Sequence, residues 1–253
     1  MIDYAKLMTQ AAMLRRQLDE DGSSPVDIFA LAQRIEGLTI VYYPMGDNLS
    51  GMCIRCQDNN NIIAINSSMT LGRQRFSLAH EFYHLFYDDN MVSVCAKKIG
   101  DGKDIEKAAD MFASYFLMPD AALIAMAQRL AEKDGNHYIS INDVIRIEQY
   151  FGVSHQAAVY RLIHTPYLDQ RDTDDMLMEP VRRRAEALGY SADLYLPSPE
   201  SRKYMTYGNY INQAEEVVSK GLVSVGKYEE LLLAAFRSDL VYGSEEEGGD
   251  LID

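Results

Sequence analysis

His80 and His84 stand four residues apart in RFSLAHEFYHLFYDD, residues 75–89, with Glu81 directly after the first. Imidazoles at i and i+4 lie one above the other on an α-helix. There their nitrogens can converge on one divalent ion at about 2.0–2.1 Å. Glu81 lies about 100° further round the helix. That is too far to be an equivalent ligand, but well placed to hold a water at the ion and take its proton, which is the mechanical content of His-Glu-x-x-His. Two imidazoles suggest Zn²⁺, and the same donors also suit other first-row ions.

The helix that presents this pair is expected from about Met69 to Tyr87. On it Arg73, Ser77, His80, His84 and Tyr87 share one face, while Phe76, Leu78, Ala79, Phe82, Leu85 and Phe86 surround them with apolar surface. A helix buried nearly all round with one polar stripe must satisfy that stripe in a cleft, because unpartnered buried polar groups are costly. The competing reading is a pair of hydrogen-bonded core histidines, with Glu81 paired to Arg75 or Arg73. The complete five-residue pattern on a one-sided stripe favours the metal.

A catalytic zinc takes three protein ligands and leaves a fourth position for water. The next helix, about Ile105 to Leu117 and closed by Met118-Pro119, puts Glu106, Asp110, Ala113 and Leu117 on one face. Glu106 is the natural third ligand, and Asp110 one turn on can accept the far N–H of His80 or His84. Spacing alone reads these acids equally well as exposed first-turn carboxylates, favourable at a helix N-terminus. His137, His155, His164 and Asp88 are rival ligands.

Other elements must hold these two helices. Residues 2–18 have helical periodicity. Ser24-Pro25 reads as an N-cap and first helical position, opening a helix that stops at Gly37. LTIVYYP is strand-like, and SGMCIRC and NIIAINS flank the turn QDNN as a hairpin. Residues 88–104 read as loop. SINDVIRIEQYFGVSHQAAVYRLIHT reads as two short helices around the turn 151–154, and residues 176–240 as further helices broken by LPSPES. The expectation is an α+β fold: a mainly helical zincin-like metallopeptidase domain with a small antiparallel sheet over 1–167, including a helix-turn-helix-like segment at about 139–164. A helical extension follows over 168–240, then a disordered acidic tail over 241–253.

RFSLAHEFYH followed by EKAADMFASYFLMP resembles the ImmA/IrrE metallopeptidases, a likeness that covers about residues 25–165. The first motif is generic to zincins, and the two together are more specific. The resemblance implies His80, His84 and Glu106 as zinc ligands and Glu81 as general base. The family often has asparagine where this chain has Asp110, which keeps a hydrogen-bond acceptor. It often has glycine where this chain has Tyr83, which narrows the helix surface near the metal. The implied chemistry is peptide hydrolysis: Glu81 deprotonates a water for attack on a carbonyl and hands the proton to the leaving amine. Tyr87, His155, Tyr160 and His164 are the candidate oxyanion donors. Arg75 reads as a structural salt bridge. By resemblance the substrate is a regulatory protein of helix-turn-helix type, a repressor or an antitoxin. The alternative is a catalytically silent zincin-like binding protein of a toxin–antitoxin or phage-related system.

Composition narrows the class. Among 253 residues, 24 basic against 38 acidic leave a formal charge of −14. This disfavours a phosphate-binding face, and so direct nucleic-acid binding. The run Arg182-Arg183-Arg184 reads as a solvated helix face. FGVSHQAAVYRL offers His155, Gln156 and Arg161 where a reading helix would present base-contacting residues, and a packing role or cleft wall fits an acidic chain better. Cys53 and Cys56 fall on opposite faces of one strand and read as ordinary packing. Three cysteines make no disulfide framework, and there is no leader-like h-region or membrane-length apolar run, so a reducing, cytoplasmic setting is expected.

Overall fold

A computed structural model describes residues 2–56, 58–96, 104–133 and 137–243. Helix α1 (Tyr4–Gln17) opens on Asp3, whose carboxylate accepts from Lys6 N. α2 (Ile28–Arg34) is capped by Asp27, which accepts from the Phe29 and Ala30 amides. The helix thus starts three residues later than Ser24-Pro25 suggests. The carbonyl of Ser24 is instead taken by Arg15 Nη2 at 2.5 Å. Then come β1 (Leu38–Tyr43), β2 (Leu49–Ile54), β3 (Asn61–Asn66), α3 (Leu71–Tyr87), β4 (Val92–Ala96), α4 (Asp104–Leu117) and α5 (Asp120–Lys133). The rest is α6 (Ile141–Phe151), α7 (His155–Leu162), α8 (Thr173–Met178), α9 (Val181–Ala187), β5 (Met205–Gly208), α10 (Asn209–Ser219), α11 (Val225–Ala234) and α12 (Ser238–Tyr242).

The strands form one sheet in the order β4-β2-β3-β1-β5. The hairpin β2–β3 is antiparallel as expected, with Cys53 opposite Ile63. The sheet as a whole is mixed, since β1 runs parallel to β3, Leu38 beside Asn61. Asn66 fixes the crossover between β1 and β2. Its Nδ2 donates to the Gly46 and Leu49 carbonyls, and its Oδ1 accepts from the Met45 and Ser68 amides.

Two strands lie where none is expected. β4 occupies part of the 88–104 stretch and pairs with β2. β5 interrupts the 168–240 stretch and pairs antiparallel with β1. The segment after residue 168 is therefore not wholly helical and shares the sheet of the first part. The tail expected to be disordered falls largely outside the described residues, which end at Gly243.

α3 is the central element. It packs on β2, β3, α2 and α4, and Phe76, Leu78, Ala79, Phe82 and Leu85 on it are buried. α4 lies beside it, with Phe82 edge-on to Phe116 and α1 covering the far side. A smaller apolar cluster, Ile145, Val181 and Ala185, joins α9 to α6.

Candidate metal centre

α3 and α4 meet with their polar stripes face to face. His80 Nε2 and His84 Nε2 stand 3.2 Å apart. Glu106 on α4 places Oε2 3.3 Å from His80 Nε2 and Oε1 3.6 Å from His84 Nε2. Donors at about 2.05 Å around a tetrahedral ion are separated by about 3.3 Å. The three groups thus already hold the spacing one ion would require.

Each imidazole is fixed from behind. His80 Nδ1 lies 2.8 Å from Asp110 Oδ1, and His84 Nδ1 lies 2.7 Å from Asp88 Oδ2. A carboxylate on Nδ1 sets the tautomer that leaves Nε2 free for a metal. Asp88, weighed above as a rival ligand, stands behind His84 instead. Its position is itself secured by Asn90, whose amide and side chain both donate to Oδ1.

Glu81 is fully buried beside this cluster. Ser93 Oγ on β4 donates to its Oε2 at 3.4 Å, while Oε1 has no hydrogen-bond partner among the described residues. Oε1 rests against β2 at Gly51, where a Cβ would come within 2.8 Å.

The electrostatics describe a cage short of positive charge. Burial draws the His80 imidazolium down, but hydrogen bonds to Asp110 and Glu106 outweigh it and raise its pKa to about 9. Burial pushes Glu81 up to about 7, against the pull of His80. Burial and the neighbouring His80 both lower His84. Although burial raises Glu106, its contacts with His80 bring it below the ordinary carboxylate range. Four carboxylates, Glu81, Asp88, Glu106 and Asp110, thus surround two imidazoles, a charge balance that a bound cation would offset.

One neighbour has no counterpart in the sequence reading. Cys95, on β4, contributes Sγ to a group in which one donor atom each from His80, His84, Glu106 and Cys95 all lie within 4.8 Å of one another. The period-2 alternation VSVC could have marked it, since Ser93 and Cys95 are buried between exposed Val92 and Val94. Cys53 is buried on β2 and Cys56 exposed, but β2 ends at Ile54, so the two do not share one strand as expected.

The other sequence candidates are engaged elsewhere. Tyr87 OH donates to the Gln10 carbonyl, and the ring packs on Phe112. His155 binds Glu148 through Nδ1 and the Met176 carbonyl through Nε2. Tyr160 packs on the core and His164 is exposed. Among the described residues none of these four hydrogen-bonds to His80, Glu81, His84 or Glu106. His137 makes a ring contact with Tyr138. Arg75 forms no salt bridge among the described residues but donates to the carbonyls of Gly152 and Val26, joining α3 to the α6–α7 turn. In that turn Gly152 is left-handed at φ 66° and caps α6. Arg161 is buried on Asp120 and over the Tyr115 ring, which supports a packing role for α7. Arg182, Arg183 and Arg184 are exposed, with Arg184 paired to Glu179. Tyr83 is buried against Phe112 and Tyr87. No single described helix is long and apolar enough to cross a membrane.

Residues 34–163 match the family described as the IrrE N-terminal-like domain. The chain is also 33% identical over 98 residues to the radiation response metalloprotease IrrE of Deinococcus deserti, an alignment covering 37% of this chain and 34% of that protein. The match thus spans about a third of the length of that relative.

Proposed function

The chain belongs to the IrrE N-terminal-like domain family, and on that premise we propose that it is a zinc-dependent endopeptidase acting on a regulatory protein. The observation that carries this reading is the mutual spacing of His80 Nε2, His84 Nε2 and the Glu106 carboxylate, 3.2 to 3.6 Å, on two helices packed face to face. Two imidazoles and a carboxylate are a known catalytic zinc set.

A divalent ion held there supplies Lewis acidity, lowering the pKa of a water toward 7 and drawing charge from a scissile carbonyl. The chain's own residues do the rest. Asp110 and Asp88 hold the imidazoles with Nε2 inward. Glu81 takes the proton of the attacking water on its carboxylate and returns it to the departing amine. The proposed substrate is a helix-turn-helix repressor or antitoxin, cleaved at one site in the cytoplasm. That choice rests on the family resemblance.

A second reading, a zincin-like protein that binds its partner without cutting it, is favoured by one feature: the Cys95 thiol stands beside Glu81 and Glu106. Metal analysis and one substitution separate the two. The endopeptidase reading expects about one zinc per chain, lost in His84→Ala. It also expects Glu81→Gln to keep the metal and abolish cleavage of co-purified or co-incubated helix-turn-helix proteins. A Glu81→Gln protein that retains its full biological effect would establish the binding reading.

A further inference from the structure

We propose that Cys95 is a fourth, self-blocking ligand of this centre, and that β4 is the latch carrying it. The proposal rests on the metal-site reading above and adds a closed resting state. Its first ground is placement. Sγ of Cys95 lies within 4.8 Å of a donor atom on each of His80, His84 and Glu106. A closed tetrahedral set of nitrogen, oxygen and sulfur donors is ordinary zinc chemistry, with sulfur at about 2.3 Å.

The second ground is what Cys95 touches. The thiol interacts with both Glu81 and Glu106. Most buried free cysteines pack as small apolar groups; this one meets the carboxylates of both the base and a metal ligand. A water ready for attack needs the fourth position on the ion and Glu81 beside it, so a sulfur ligand in that position excludes the water.

The third ground is how it is held. Cys95 pairs across the ladder with Gly51, the residue on which Glu81 rests, and Ser93, which donates to Glu81, pairs with Cys53. Alternation along β4 turns Ser93 and Cys95 inward and leaves Val92 and Val94 58% and 51% exposed. Among the described residues β4 is an outer strand of the sheet, paired with β2 alone. Such a strand can separate locally without unfolding its neighbours. Withdrawal of β4 removes the sulfur and opens the position Glu81 serves. The latched chain therefore cleaves slowly and the unlatched chain fast.

Cobalt(II) in place of zinc tests this on the full chain, because thiolate ligation adds an intense near-ultraviolet charge-transfer band. The band is expected in the wild type and in Cys53→Ala, and is expected to vanish in Cys95→Ala while cobalt content by mass spectrometry stays the same. Cleavage of a protein substrate should rise in Cys95→Ala. A measurement needing no variant accompanies these: zinc should protect Cys95 from iodoacetamide, mapped by peptide mass spectrometry, and chelation should remove that protection. Bound cobalt with no thiolate band and no protection overturns the proposal and leaves the metal site standing. Failure of the wild type to bind cobalt or zinc at all overturns the metal site, and the latch with it. A thiolate band with no rise in cleavage in Cys95→Ala overturns the latch.

Discussion

Glu81 Oε1 lies so close to the backbone of Gly51 that a single added methyl would stand 2.8 Å from it and 3.0 Å from the Ala64 carbonyl. The glycine is thus required by close approach, not by a special backbone angle. Gly51→Ala should push the Glu81 carboxylate aside or spread β2 from β3. Misplacement of a catalytic group by about 1 Å lowers rate by roughly a hundredfold. The expected outcome is that loss in kcat with zinc content unchanged, read by mass spectrometry beside a cleavage assay. Unchanged kcat would show that Glu81 is not held by this contact.

Asp88 and Asp110 make the same contact on different histidines, at 2.7 and 2.8 Å. Removing a carboxylate behind a ligating imidazole weakens metal binding by about 10–100-fold. Asp88→Ala and Asp110→Ala should each do so in competition with a fluorescent chelator. Asp110→Asn keeps an oxygen facing Nδ1 and should stay near wild type. An alanine variant at either position with wild-type affinity would mean the ring is oriented by packing alone.

How much of this centre the sequence disclosed follows from the range of the interactions. His80, Glu81 and His84 are legible as one pattern because their spacing on a single helix is fixed by local geometry, whereas spacing reads Glu106 and Asp110 equally well as exposed first-turn acids and only the family resemblance singles out Glu106. Asp88 also stands one turn from His84. Its role as the partner of Nδ1 depends on the side-chain rotamer, so spacing alone left it among possible ligands. Cys95, β4 and β5 were hidden because short strands are defined by the partner they pair with. VSVCA pairs with β2 from the far side of α3, and MTYG pairs with β1 across more than half the chain. The parallel pairing of β1 with β3 was hidden for the same reason. Arg75 illustrates a converse error: a charged side chain suggested a charged partner, whereas it binds two carbonyls distant in sequence.

Arg15 ties α1 to α4, the helix that carries Glu106 and Asp110. Its guanidinium is 1% exposed. It donates to the Phe116 carbonyl at 2.6 Å, and also to the Asp21 and Ser24 carbonyls. Phe116 lies in the last turn of α4, where carbonyls lack helical partners. Arg15→Met keeps the apolar stem and strands three acceptors, so it should destabilise by about 3 kcal/mol. Lysine cannot span the same three carbonyls and should recover only part of this. Urea midpoints of the three proteins measure it. Equal midpoints would show that water replaces the guanidinium without loss.

His155 gives the fold a pH dependence whose sign is set by geometry. Nε2 faces the Met176 carbonyl at 2.7 Å, which can only accept, and Nδ1 faces the Glu148 carboxylate at 3.1 Å. Both ring nitrogens therefore act as donors, which is the imidazolium. Burial lowers the pKa, but the hydrogen bond and charge of Glu148 outweigh it and raise it above the ordinary histidine value. A pKa raised by folding adds stability that is complete below the unfolded value of about 6.5 and is lost as pH climbs through the folded value. The gap in urea midpoint between wild type and His155→Gln should therefore be widest below about pH 6.5 and narrow in more alkaline buffer. A gap independent of pH would mean a neutral ring. Glu148 also accepts from Tyr195 OH at 2.9 Å and is fully buried. Glu148→Ala strands both donors and should remove about 3–5 kcal/mol at acidic pH, with a smaller loss where His155 is neutral. That difference separates the buried charge pair from simple packing, since a packing defect does not change with pH.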